Sequence, residues 1–223
     1  MVPPFIEQCT DKETVALAKG LLRVTREVRV LVGQFYLYKD LTRSKAFTET
    51  IAGSGGQDGV NIVVGSLLRT MVVSVAALFD RDQQTSNLPK LLRKAGEASI
   101  TAQLQWFHEH YDVAPSAEIS RLRLIKYQRK LKSGLVRQAA DRLSYVRKTH
   151  VAHFDADPSP KTDAERAIIR DLDRVVLGVG VIVAEANVFV LGRRIDFPEL
   201  RRIMRRQSGD FCDLLVTGAG VSG

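Results

Sequence analysis

Cysteine is nearly absent: Cys9 and Cys212 are the only two, far apart and in no metal-ligand or redox spacing. That excludes a disulfide-stapled scaffold, and a reducing cytoplasm is the expected setting. Aromatic residues are sparse, at 7%, and no stretch alternates apolar and polar residues with the period of a strand. Long uninterrupted apolar runs are also missing. The two nearest to one, 60–79 and 175–191, are broken by Asn61, Arg69 and Thr70 in the first and by Glu185 and Asn187 in the second. A membrane helix needs roughly 20 apolar residues with few charges, so both are expected as buried core helices and no membrane contact is expected. The opening MVPPFIEQC has no basic region leading into an apolar run and is not expected to be a secretory signal.

Several catalytic fingerprints are lacking too. Gly178-x-Gly180 lies inside a helical apolar run, without the strand before it or the third glycine of a dinucleotide loop. AGSGG lacks the Gly-Lys-Ser/Thr ending of a P-loop, there is no G-x-S-x-G elbow, and no paired Glu-x-x-His motifs mark a di-iron bundle. No cofactor is expected.

What the chain does have is helical pattern throughout its 223 residues, with 45% hydrophobic and 26% charged residues. These values fit one soluble domain, 1–223, large enough to bury a core. Thr10-x-x-Glu13 resembles a capping box opening a helix to about Tyr38. Further helices are expected near 60–79, 88–96 (capped by Asn87), 98–112, 117–133 (capped by Ser116 after a turn at Ala114-Pro115), 135–152, 162–191 and from Asp196 through RRIMRR. The glycine-rich 51–59 is expected as a flexible loop, and the ends 1–9 and 217–223 as disordered. The predicted fold is therefore all-α, an antiparallel bundle of about six to eight helices joined by short turns.

Net charge is +8, and its placement matters more than its size. Residues 121–148 hold ten basic side chains, Arg129, Lys130, Arg142 and Lys148 among them, against the single acid Asp141; ten minus one is +9. Such a field attracts polyanions, nucleic acid above all, although a charge run is also what a solvated helix face looks like.

That basic stretch ends in RKTHVAHFD (147–155), which contains two of the four histidines. At 100° per residue from Val136, the positions Val136, Ala139, Ala140, Leu143, Val146 and His150 fall on one side of a helix. Arg147 falls at about 20°, in the middle of that apolar stripe, and His153 at its edge near Arg142. A guanidinium keeps its proton, so Arg147 must meet a carboxylate, a carbonyl, a bound anion or a cleft between subunits. The plainer alternatives are a structural salt bridge for Arg147, a satisfied core position for His150 and a helix-dipole partner in His153. A metal site finds little support. The other pair, His108 and His110, is separated by about 200° on a helix and cannot share a face; no metal is expected.

RKTHVAHFD resembles the signature of the HEPN superfamily, an arginine followed after four to six residues by a histidine, here Arg147, five residues and His153. Arg-x-x-x-x-Ala-His-x-Asp is similar to the abortive-infection, AbiU-type branch, likewise an all-α domain with its motif late in the chain. The resemblance implies a metal-independent endoribonuclease, a toxin or phage-defence effector, working as a homodimer with both motifs in one cleft. It assigns His153 as general acid or base and Arg147 as the stabiliser of the phosphorane-like transition state. Lys148, His150, Arg142, Arg129 and Lys130 would lie behind these or contact RNA, and an antitoxin protein would be a further partner. Two positions depart from the pattern: Lys148 stands where many active members carry a polar uncharged or acidic residue, and Asp155 where nucleotidyltransferase-regulated members often carry tyrosine. The alternative is a catalytically inactive helical module that binds RNA or protein.

Overall fold

The computed structural model describes residues 9, 11–80, 87–110, 114–150 and 163–220. Among them are nine helices and no strand: α1 (Lys12–Arg43), α2 (Lys45–Ser54), α3 (Gln57–Leu78), α4 (Leu88–Ala95), α5 (Ala98–His110), α6 (Ala114–Ser133), α7 (Leu135–His150), α8 (Asp163–Leu191) and α9 (Phe197–Gly220). The all-α expectation holds.

The helix starts follow from local chemistry. Asp11, rather than Thr10, caps α1, its carboxylate accepting from the Thr14 N–H at 2.8 Å. Asn87 caps α4 through the Lys90 N–H, with Pro89 in the first turn, where its missing donor costs nothing. Asp196 accepts from the Glu199 N–H at the start of α9. Helix α6 begins at Ala114, so Ser116 lies within its first turn rather than ahead of it.

The stretch 51–59 is not a nine-residue loop. Helix α2 runs through it to Ser54 and α3 resumes at Gln57, so the break is Gly55–Gly56 alone. Gly55 takes the left-handed φ of 72° that ends α2, a conformation glycine adopts without strain. The C-terminal expectation is corrected too, since α9 continues through 217–220.

The long α8 is the hub, packed by α1, α6 and α7, while α3 packs on α7 and α1, and α9 on α1 and α2. Leu172, Val175, Val176, Val179 and Ala186 of α8 are buried against Leu21, Val24, Val28 and Leu31 of α1 in one core. Asn187 pins the two helices, donating to Thr25 Oγ1 at 2.9 Å and to its own helix at the Val183 carbonyl. Close approach also depends on two glycines. A Cβ on Gly178 would stand 2.4 Å from Val136 Cγ2, and one on Gly180 would stand 1.8 Å from Phe197 Cζ, inside a buried ring.

Gly180→Ala is therefore expected to lower unfolding free energy by about 1–3 kcal/mol, overpacking outweighing the helix-propensity gain of about 1 kcal/mol. Gly209→Ala, with open space at its Cβ, should leave stability equal or higher. Urea denaturation checks both; equal midpoints for the two variants would contradict the packing account.

Helices α3 and α8 are each long and apolar enough to cross a membrane by length and composition. The apolar window of α8 is 61% buried inside the bundle, as a core helix should be, whereas that of α3 is only 28% buried. On the outward face of α3, Gly59, Ile62, Val63, Ser66, Thr70, Val73 and Ala77 are exposed, with Arg69 also exposed at its edge.

Candidate functional site

Helix α7 is fixed before it reaches the motif. Ala139, Ala140 and Leu143 are fully buried, as the helical angles predict. Arg142 clamps α7 to α8 with a two-pronged pair to Asp171, Nε to Oδ2 at 2.6 Å and Nη2 to Oδ1 at 2.8 Å. Asp171 is buried and also meets Arg174 at 3.5 Å. Expected near RNA or behind the catalytic pair, Arg142 is committed to this clamp, and the hydrogen bonds to Asp171 raise its pKa. The sequence held a signal for Asp171: it sits among Ile168, Leu172 and Val175 on the buried stripe of α8, where an acid requires a cation.

Beyond Val146, which is half-buried, the cover on α7 runs out, and Arg147 and Lys148 are exposed. The sequence placed Arg147 on the apolar stripe, and its angle is right; what it lacks is a neighbour to bury it. Among the described residues Arg147 makes no ion pair, so the structural salt bridge weighed from the sequence is not found there. His153 lies outside the described residues, as do Phe154 and Asp155, and so does the side chain of His150. The geometry of the Arg147–His153 pair is thus not on view, but the anchored helix that presents Arg147 is.

Phe79 at the end of α3 and Arg137 at the start of α7 line one cavity, so α3 runs back along α7 toward its Arg147 end. The exposed apolar side chains Ile62 (60% exposed) and Val63 (48%) therefore lie in the half of α3 directed toward that end.

The basic stretch is partly neutralised by acids from outside it. Glu118 holds Arg121, Glu185 holds Arg123 at 2.7 Å and Asp171 holds Arg142, while Asp141 within the stretch holds Arg137 at 2.8 Å. Lys126, Arg129, Lys132, Arg147 and Lys148 are exposed without an acid partner among the described residues; the side chain of Lys130 lies outside them. The cationic surface is thus narrower than the sequence count, running along α6 and the end of α7.

His108 and His110 diverge, as their spacing requires. His110 stacks on Trp106 with ring centroids 5.3 Å apart, whereas His108 is buried beside Phe189. Among the described residues no group of three His, Cys, Asp or Glu could hold a metal. Burial holds the His108 pKa below its ordinary 6.5, with a hydrogen bond to the Phe189 backbone opposing. The native state thus refuses a proton that the unfolded chain accepts below about pH 6.5. This contribution to stability is complete above that pH and is lost as pH falls. A lower urea midpoint at pH 5.5 than at pH 7.5 is expected, with a shallower decline in His108→Gln; equal declines would place the titration elsewhere.

The described residues form an all-α bundle, the fold expected of the HEPN superfamily, which includes ribonucleases. The family model for AbiU2, a branch of that superfamily, matches residues 7–207, and the chain belongs to this family. Among curated proteins and solved structures, none matches.

Proposed function

We propose that the protein is a metal-independent endoribonuclease that works as a cytoplasmic homodimer, in the role of a toxin or phage-defence effector. The observation that carries this reading is Arg147: an exposed guanidinium, unpaired among the described residues, on a helix locked in place by Arg142 and Asp171. Five donors in a rigid fork suit the equatorial oxygens of a phosphorane-like transition state. His153, six residues on, takes the proton from an RNA 2′-hydroxyl as it attacks the adjacent phosphate, or returns one to the leaving 5′-oxygen. A 2′,3′-cyclic phosphate and a free 5′-hydroxyl are the products. Lys126, Arg129 and Lys132 on α6 supply the phosphate contacts that hold the strand.

The uncovered face of α3 supports the dimer. Ile62, Val63 and Val73, exposed on one face of this helix, suit an interaction site, and the small residues between them allow two copies to approach closely. Two-fold packing there would bring both Arg147 ends toward one cleft. An antitoxin protein would act by covering that cleft.

The test is incubation of the purified protein with total RNA in EDTA. Cleavage is the expected result. Binding without cleavage would instead identify a silent RNA-binding module, the role that Lys148 beside Arg147 leaves open, and cleavage abolished by EDTA would contradict the metal-independent mechanism.

A further inference from the structure

Two exposed helix faces besides that of α3 have opposite charge and similar apolar content. On α6, Ile119, Leu122 and Ile125 are exposed at three-residue steps, Leu122 by 56%. Lys126, Arg129 and Lys132 continue the same side of the helix, exposed and without an acid partner among the described residues. The face is therefore aliphatic over its first half and cationic over its second. RNA phosphates suit the cations but leave the aliphatic half unused, and unpaired bases stack on aromatic rings, which those three positions do not offer.

The second half of α9 carries the complement. Phe211, Leu214 and Leu215 are exposed, Leu214 by 70%, beside the exposed side chains of Asp210 and Asp213. Asp213 meets no cation among the described residues, and Asp210 meets only the exposed Arg206 at 3.7 Å. Taking Leu214 as the outward centre at 100° per residue, Phe211 and Leu215 lie about 60° and 100° to one side. Asp210 and Asp213 lie about 40° and 100° to the other. Gly218, one turn on from Leu214, has open space where a side chain would stand, so another helix can approach closely.

We propose that these two faces bind each other between copies of this chain. The second half of α9 of one copy seats on α6 of the next, Phe211, Leu214 and Leu215 against Ile119, Leu122 and Ile125. Asp210 and Asp213 then meet Lys126 and Arg129. The apolar and charged parts are side by side on α9 but end to end on α6, so the two helices cross steeply. Because different surfaces meet, the contact is head-to-tail and leaves one free face at each end of a growing assembly, unlike a two-fold contact through α3. A single helix crossing covers less than a standard interface, so the expected Kd is on the order of 10–100 μM. Lys126, Arg129 and Lys132 are the cations assigned above to RNA, so an assembled chain would hide them from substrate. That consequence rests on the ribonuclease reading; the assembly does not.

Sedimentation of the full chain carrying Val63→Asp, which removes any two-fold contact through α3, reads the assembly at low salt over about 1–300 μM. The average mass is expected to rise with concentration past that of a dimer. Leu122→Glu/Arg129→Glu spoils the α6 face, and Asp213→Lys/Leu214→Lys spoils the α9 face. Each double variant alone should sediment as a monomer, its association weakened about tenfold or more. Mixed in equal amounts, the two should form a one-to-one complex and nothing larger, since each keeps the face that the other has lost. That recovery also shows that both variants are folded. A chain with both faces intact that stays monomeric to about 300 μM would overturn the proposal. So would a mixture no heavier than its components, or assembly lost from one double variant but not the other, which would mean that like faces pair. A chain that does not assemble but binds phosphatidylglycerol vesicles or a short RNA through Leu122 and Arg129 would also overturn it, giving the α6 face to lipid or to nucleic acid.

Discussion

Arg147→Ala is expected to melt with the wild type and to cleave RNA about 10²–10³-fold more slowly, the usual loss for one transition-state donor. The first half of that expectation comes from exposure. Arg147 stands beyond the buried turn of α7 and holds no partner among the described residues, so its removal falls in the class of surface changes worth roughly ±0.5 kcal/mol. The second half comes from the proposed chemistry, in which the guanidinium meets charge that develops only as the 2′-oxygen attacks. Arg147→Lys separates charge from geometry: a point charge replaces a fork, so only part of the activity should return. Arg142→Ala is the informative contrast. It breaks the two-pronged pair to buried Asp171, so both stability and activity should fall. If Arg147→Ala unfolds the protein as readily as Arg142→Ala does, Arg147 is a structural residue and the catalytic reading fails. His153→Ala should cost about 10²–10⁴-fold, the range for a general acid or base.

Val63→Asp is expected to turn a dimer into a monomer and to remove cleavage with it, while leaving the monomer folded. Val63 is 48% exposed, so an aspartate there is solvated in the single chain. In a two-fold interface the same substitution is buried twice and places like charges near one another. That costs on the order of 3 kcal/mol or more and weakens the dimer about a hundredfold or more. Sedimentation at micromolar concentration reads the mass, and the RNA assay reads the consequence. A wild type that sediments as a monomer at full activity would remove the shared cleft from the account. A monomeric Val63→Asp that still cleaves would show that each chain carries a complete site.

The helices were legible in the sequence because burial and cap chemistry agree locally. Asn87 before Leu88-Pro89 announced α4, and the angles of Ala139, Ala140 and Leu143 announced the buried side of α7. Composition misled at 51–59, where a cluster of glycines reads as loop although Gly55–Gly56 alone supplies the turn between α2 and α3. Helix α2 went unread for a similar reason: Ser44 interrupts a helical run and restarts it, its hydroxyl accepting from the Phe47 N–H, and nothing in the periodicity marks the change of axis. Pairing was the least visible feature. The partners of Arg123 and Arg142 come from Glu185 and Asp171, 62 and 29 residues away, and no local pattern specifies such a separation. The motif itself was the clearest local signal for the site, since an arginine on an apolar stripe is anomalous wherever it lies; its exposure came only with the fold.

The central claim is that Arg147 and His153 cut RNA without metal, and the chemistry of the cut ends tests it most directly. RNA digested by the wild type in EDTA should carry 2′,3′-cyclic phosphates and 5′-hydroxyls at the cleavage sites, and Arg147→Ala and His153→Ala should yield neither above background. Ends bearing a 3′-hydroxyl and a 5′-phosphate, or cyclic ends produced equally by both variants, would contradict it.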